Sequence, residues 1–254
     1  MKSFFQRPFL DVMACLERIV VDGRRRQGPG PLIVVMVALI VTWFLYVPIH
    51  ELLHAYGCIW TGGDVTRLEV SPRYGGKLLA KYFPFVVSGS DYAGQLTGFD
   101  TKGSDAIYMA TVFAPFVLSI IFGVPLLKFC ARRKRTVLFG VSIVLGLAPF
   151  YNFSGDYYEM GSILTTRAIT LVSGGSNPPL YEGIRSDDVF KLVGEVMEKP
   201  AERGLTTGWR VAIGSVLIAV SFALSLFLAF LTYWLGHLFS LPFFGRGKRA
   251  TVPT

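Results

Sequence analysis

Four stretches of this chain run without a formal charge for longer than an ordinary soluble fold can use. They are residues 32–49, 107–127, 137–154 and 211–245, of 18, 21, 18 and 35 residues. A hydrocarbon core about 30 Å thick takes roughly 20 helical residues to cross. Inside it only helices and closed barrels satisfy their backbone groups. The stretches are too long and too uniformly apolar for barrel strands, so the pattern predicts an all-α polytopic membrane protein with four to five transmembrane helices. The fifth would be the helical pattern after Asp156, which carries Arg167 inside it.

The charges agree with that placement. Only 17% of the residues are charged, against about 25% in soluble domains. The net charge of +8 collects beside apolar stretches, in Arg24, Arg25 and Arg26 and in Arg132, Arg133, Lys134 and Arg135. Membrane proteins orient themselves with such clusters, and no nucleic-acid partner is expected. Cys15, Cys58 and Cys130 stand too far apart for a CxxC pair, which excludes a disulfide scaffold and a thiolate zinc site.

Residues 1–31 form an amphipathic N-terminal segment, because Phe5, Phe9, Met13, Leu16 and Val20 recur at helical spacing. Residues 32–172 form a membrane-embedded core. Within it, 61–106 is glycine-rich and mixed in polarity, and Val65, Leu68, Val70, the pair Gly75 and Gly76, and residues 77–87 predict a small membrane-associated hairpin or strand-like loop after the first span. Residues 173–210 read as a soluble loop. It holds a Gly-Gly-Ser-Asn-Pro-Pro stretch and a short amphipathic helix, capped by Ser186 with Asp187 and running to about Lys199. A C-terminal transmembrane helix at 211–245 and a basic tail at 246–254 complete the chain.

The chemistry lies in His50-Glu51-Leu52-Leu53-His54. Residues four apart share a helix face, so two imidazoles can grip one metal while Glu51 stands near its open position. With three histidines and eight glutamates in the chain, chance supplies an HExxH in roughly one such sequence per thousand. Neutral histidine nitrogens suit zinc, zinc draws the pKa of water towards neutrality, and a carboxylate beside it can carry the proton. A third ligand is needed, and Asp156 and Glu159 are the acidic candidates in the membrane-embedded part. His237, in the last span, is a weaker one. Two carboxylates against a divalent ion leave the site near neutral, which lowers its cost at membrane depth.

HELLH on an apolar helix, a Gly-Gly-bearing amphipathic segment, an apolar helix with Ala114-Pro115 and a broken helix carrying an aspartate together resemble the site-2 protease family of intramembrane zinc metalloproteases. The resemblance covers roughly residues 32–172. It implies His50, His54 and Asp156 as zinc ligands, Glu51 as general base and a membrane-protein substrate, and Asn152 is a candidate for orienting the substrate peptide. The stretch from Asn152 to Glu159 departs from the family pattern, having no proline after the asparagine and no glycine after the aspartate. The expected location is the cell membrane of a bacterium or archaeon, as a multi-pass protein. The rival readings are a metal-binding transporter subunit without hydrolysis and an inactive protease homologue; within the enzyme class, a membrane zinc peptidase using glutamate as third ligand is a further one.

Two arguments about orientation collide. The segments 1–31, 128–136 and 246–254 hold 14 of the 25 lysines and arginines, close to span ends, which places the N-terminus in the cytoplasm. His50 would then lie near the outer face, about 27 Å of helix beyond Leu32. The family resemblance implies the opposite, a site opening towards the cytoplasm.

Overall fold

A computed structural model describes residues 2–22, 25–26, 28–173, 183–203 and 207–244. The Gly-Gly-Ser-Asn-Pro-Pro stretch and the basic tail lie outside the described residues. Helix α1 is Lys2–Val20 and α2 is Gly30–Trp60, continuous through Pro48. A helix α3 follows over Asp105–Cys130. The helix α4 is Thr136–Gly146, α5 is Asp156–Val172, α6 is Val189–Glu198 and α7 is Gly208–Phe244. Among the described residues, α2, α3 and α7 are long and apolar enough to cross a membrane, which makes this a mostly helical protein of membrane-like composition.

The third uncharged stretch gives only the 11 residues of α4. Pro149 has no N–H to donate to Leu145 and its ring crowds that carbonyl, so the chain stops and restarts as a single turn over Ala148–Tyr151. Proline also shapes α3, which tightens to a 3-10 turn at Ala114–Phe116 around Pro115 and widens to a π turn at Ser119–Gly123 just before Pro125.

The chain divides into two units. The first comprises residues 1–50, 116–149 and 230–254. Gly123 and Gly146 cross here with backbone against backbone, and a Cβ on Gly123 would overlap the Gly146 nitrogen. Phe116, Val124, Leu127, Phe139 and Val144 are buried around that crossing. Helix α1 is tied in by Asp11, which pairs with Lys128 and accepts a 2.8 Å hydrogen bond from the Tyr233 hydroxyl.

The second unit comprises residues 51–115 and 150–229. It holds a three-stranded sheet of β1 (Asp64–Val70), β2 (Val86–Ser88) and β3 (Gly94–Asp100), in the order β2-β1-β3. Leu68 and Val70 alternate inward and pack with Val86 on Ala55 of α2. The sequence suggests a hairpin or a strand-like loop here; strands form, but the segment after Gly75 returns parallel, pairing Leu68 with Val86, and the antiparallel partner is β3. The reason is local. Gly75 takes φ 81° and leads into a helical turn, Gly76–Leu79, instead of closing a two-residue turn. The chain therefore makes a crossover before β2.

A second core joins Tyr158 of α5, Ile184, Val189, Leu192 and Val196 of α6, and Ile218 of α7. The α6 cap is Asp188 rather than Ser186 with Asp187. Its Oδ1 accepts from the Phe190 and Lys191 amides at 2.7 and 3.2 Å. The helix starts at Val189, so Asp188 is the residue whose carboxylate can reach the second and third amides.

Candidate metal centre

The site starts from one turn of α2. His50 and His54 project from the same face, as the spacing of four requires, and both are buried, 7% and 8% exposed. Gly57, one turn further on, has α3 against its backbone, and a Cβ there would overlap Ala114 Cβ. That approach brings the Thr111 carbonyl to 2.9 Å from His54 Nδ1. A carbonyl only accepts, so Nδ1 carries the proton and Nε2 keeps its lone pair for a metal. The His50 ring is held by the Tyr46 hydroxyl, 2.8 Å from its Nδ1, and by the edge of Phe116.

Asp156 opens α5 directly after the break at residues 152–155. The Asn152 carbonyl accepts from the Gly155 and Tyr157 amides at 3.3 and 3.2 Å, which sets the turn. A carboxylate in the first turn of a helix lies at the positive end of its dipole. Asp156 Oδ1 stands 3.6 Å from His54 Nε2. That is too long for a hydrogen bond. It is close to the roughly 3.4 Å between two atoms each about 2.1 Å from one tetrahedral ion. One ligand atom from each of His50, His54 and Asp156 lies within 4.8 Å of the others, so the group can hold a metal ion. Two imidazoles and a carboxylate form a donor set that suits zinc and leaves a fourth position open.

Glu159 lies one turn beyond Asp156 and is engaged elsewhere, since its Oε1 accepts the Tyr108 hydroxyl. Burial pushes its carboxyl up to about 7, the Tyr108 hydrogen bond opposes the rise, and the Asp156 and Asp187 charges add to it. His237 is no part of the group.

A cavity of about 450 Å³ opens beside these residues. Its lining takes in Glu51, His54, Asn152, Asp156 and Glu159, Gly94, Gln95 and Leu96 of β3, and Asp187, Asp188 and Lys191. At Gly94 the backbone runs directly over the Glu51 side chain, where a Cβ would overlap Glu51 Cγ. Glycine is required there because any side chain would displace the carboxylate.

No family model, no curated protein and no solved structure matches this chain. The site is therefore read from its own geometry.

The residues singled out in the sequence, His50, Glu51, His54, Asp156 and Asn152, stand together at the metal group or in the wall of this cavity. Others carry weaker signals. Tyr46 sits four residues before His50 and was open to the same helical argument. Thr111 acts through a main-chain carbonyl, which no side-chain pattern reveals. Gly94, Tyr108 and Lys191 reach the site only through the tertiary fold.

Proposed function

We propose that this chain is an intramembrane zinc metalloprotease of the site-2 type, which hydrolyses a peptide bond of a membrane-tethered protein. The observation that carries the reading is the combination of a two-histidine, one-carboxylate group that can hold a metal with Glu51 beside it, in the wall of a cavity bordered by a strand.

A zinc ion in this group would supply Lewis acidity, bringing water within reach of ionisation near neutral pH. The remaining steps belong to the protein. Glu51 takes the proton of the attacking water and returns it to the leaving amine. Thr111 fixes the tautomer and the plane of His54. Strand β3 lies at one edge of its sheet and borders the cavity. A substrate segment unwound from its helix adds to that edge, and main-chain hydrogen bonds hold it extended past Glu51. Asn152, in the cavity wall, orients the scissile peptide.

In this reading α2, α3 and α7 cross the bilayer. Orientation is read by labelling single cysteines with an impermeant reagent in intact cells. A probe replacing Ser90 labels from outside if charge density sets the topology, and one replacing Lys134 does so if the family orientation holds.

The function is tested on purified protein by metal analysis together with cleavage of a membrane-anchored substrate. Zinc near one equivalent with hydrolysis abolished by Glu51→Gln supports the proposal. Metal bound at the same level with no hydrolysis by the native chain of any membrane-anchored substrate favours the second reading, a metal-binding membrane protein without peptidase activity.

A further inference from the structure

Helix α6 has three faces where an ordinary surface helix has two. Val189, Leu192 and Val196 are buried against Tyr158 of α5 and Ile218 of α7. Lys191, Glu195 and Glu198 form a polar face by their helical spacing, and Lys191 reaches the wall of the 450 Å³ cavity. Between these faces runs a second apolar stripe of Phe190, Val193 and Met197, exposed by 67%, 39% and 80%. In water such a stripe would be costly, because contiguous exposed apolar surface is what soluble proteins avoid.

The neighbour of α6 indicates what covers the stripe. The cluster that buries its inner face includes Ile218 of α7, and Val211, Leu217 and Phe222 pack against that cluster. Those positions extend about 16 Å into the charge-free part of α7. Over the same length α7 leaves Val216 and Val220 exposed, with no charged residue from 211 to 244. An apolar span with apolar uncovered flanks belongs in hydrocarbon, and α6 lies alongside it.

We propose that the Phe190, Val193 and Met197 stripe is a bilayer-contact surface, so that α6 lies in the lipid boundary as a partition with acyl chains on one side and the cavity on the other. This holds whether or not the cavity is hydrolytic. It gives residues 183–199, which look soluble by charge content, a membrane-bound role.

The test uses the full chain in phosphatidylcholine and phosphatidylglycerol vesicles. Cys15, Cys58 and Cys130 are replaced by alanine, and a nitroxide is attached at one position at a time. At 190, 193 and 197 collisions with oxygen should exceed collisions with a water-soluble nickel chelate several-fold, as at a Val220 standard. The order should reverse at 195 and 198. Chelate collisions dominating at all five positions would overturn the proposal. Protection from both reagents at 190, 193 and 197 would also overturn it, by showing a protein occupant. A second measurement needs no substitution. The native chain in vesicles carrying a diazirine on the acyl chain should crosslink at 190–197 as well as at Val216 and Val220. Crosslinks confined to α7 would refute lipid contact.

Discussion

Two places in this protein bury ionisable side chains to the same degree and use them differently. Asp11 and Lys128 are 8% and 7% exposed in the first unit, and His50 and His54 are 7% and 8% exposed at the metal group. Around Asp11 the interactions close on themselves. One oxygen faces Arg7 at 3.5 Å, and the other takes Lys128 and the Tyr233 hydroxyl. At the metal group His54 Nε2 and Asp156 Oδ1 stand 3.6 Å apart, beyond hydrogen-bond distance, and face a cavity. Burial of charge alone does not mark a site. What marks it is polar groups held apart by their surroundings, with room beside them.

The sharpest way to break this comparison is Glu51→Gln. If the open group is the chemical one, this variant should lose hydrolysis by about a thousandfold or more. Its metal content and unfolding midpoint should stay as in the native chain. Cleavage assays on a membrane-anchored substrate, run beside metal analysis, read both. Near-native cleavage would remove Glu51 from the mechanism.

The closed cluster should behave in the opposite way. Lys128→Met leaves the Asp11 carboxylate buried without its nearest cation, which typically costs about 3–5 kcal/mol. Denaturation in detergent should show that loss, with activity per folded molecule unchanged. Asp11→Leu combined with Lys128→Met should recover most of it, because an apolar pair of similar volume carries no desolvation penalty. A double variant as unstable as the single one would mean that the cluster does more than tie down α1.

Next in size is the third ligand. If the proposed group holds zinc, Asp156→Asn should weaken its binding by about a hundredfold or more, since even outer partners of zinc ligands are worth ten- to a hundredfold. Glu159→Gln should have a small effect, because that carboxyl is already held by Tyr108. Chelator competition on the two purified variants checks the order. The reverse result would move the ligand by one helical turn.

What the sequence made legible was whatever a single helix decides. The pairing of His50 with His54 follows from 3.6 residues per turn, and the apolar lengths of α2, α3 and α7 follow from their lack of charge. Asp156 was legible as a carboxylate at a helix break but not separable from Glu159. That separation depends on Tyr108, which lies on another helix. The sheet was legible only as strand-forming residues. Its parallel return depends on Gly75 at φ 81° and the helical turn after it, a choice between two turn chemistries that a Gly-Gly pair leaves open. The α6 cap moved by one residue for a similar reason, since Ser186, Asp187 and Asp188 are all capping residues and only the start of the helix selects among them.

The smallest predicted effect tests how closely the open group is held. Gly94 begins β3 with its backbone over Glu51, and its lack of a side chain leaves the carboxylate room. A methyl group there would overlap Glu51 Cγ, near the root of the side chain, so rotating the carboxylate end cannot relieve it. Either the strand lifts or Glu51 changes rotamer. In Gly94→Ala the His50, His54 and Asp156 group is untouched, so metal content should remain native. A shift of the base by a fraction of an ångström should lower kcat by about tenfold. KM should rise less if the carboxylate moves, and rise with the loss of kcat if the strand edge moves. That split, measured with a single anchored substrate, separates the two ways the structure can yield. An unaltered kcat would show that Glu51 tolerates displacement, and that its distance from the reacting peptide is not set by β3.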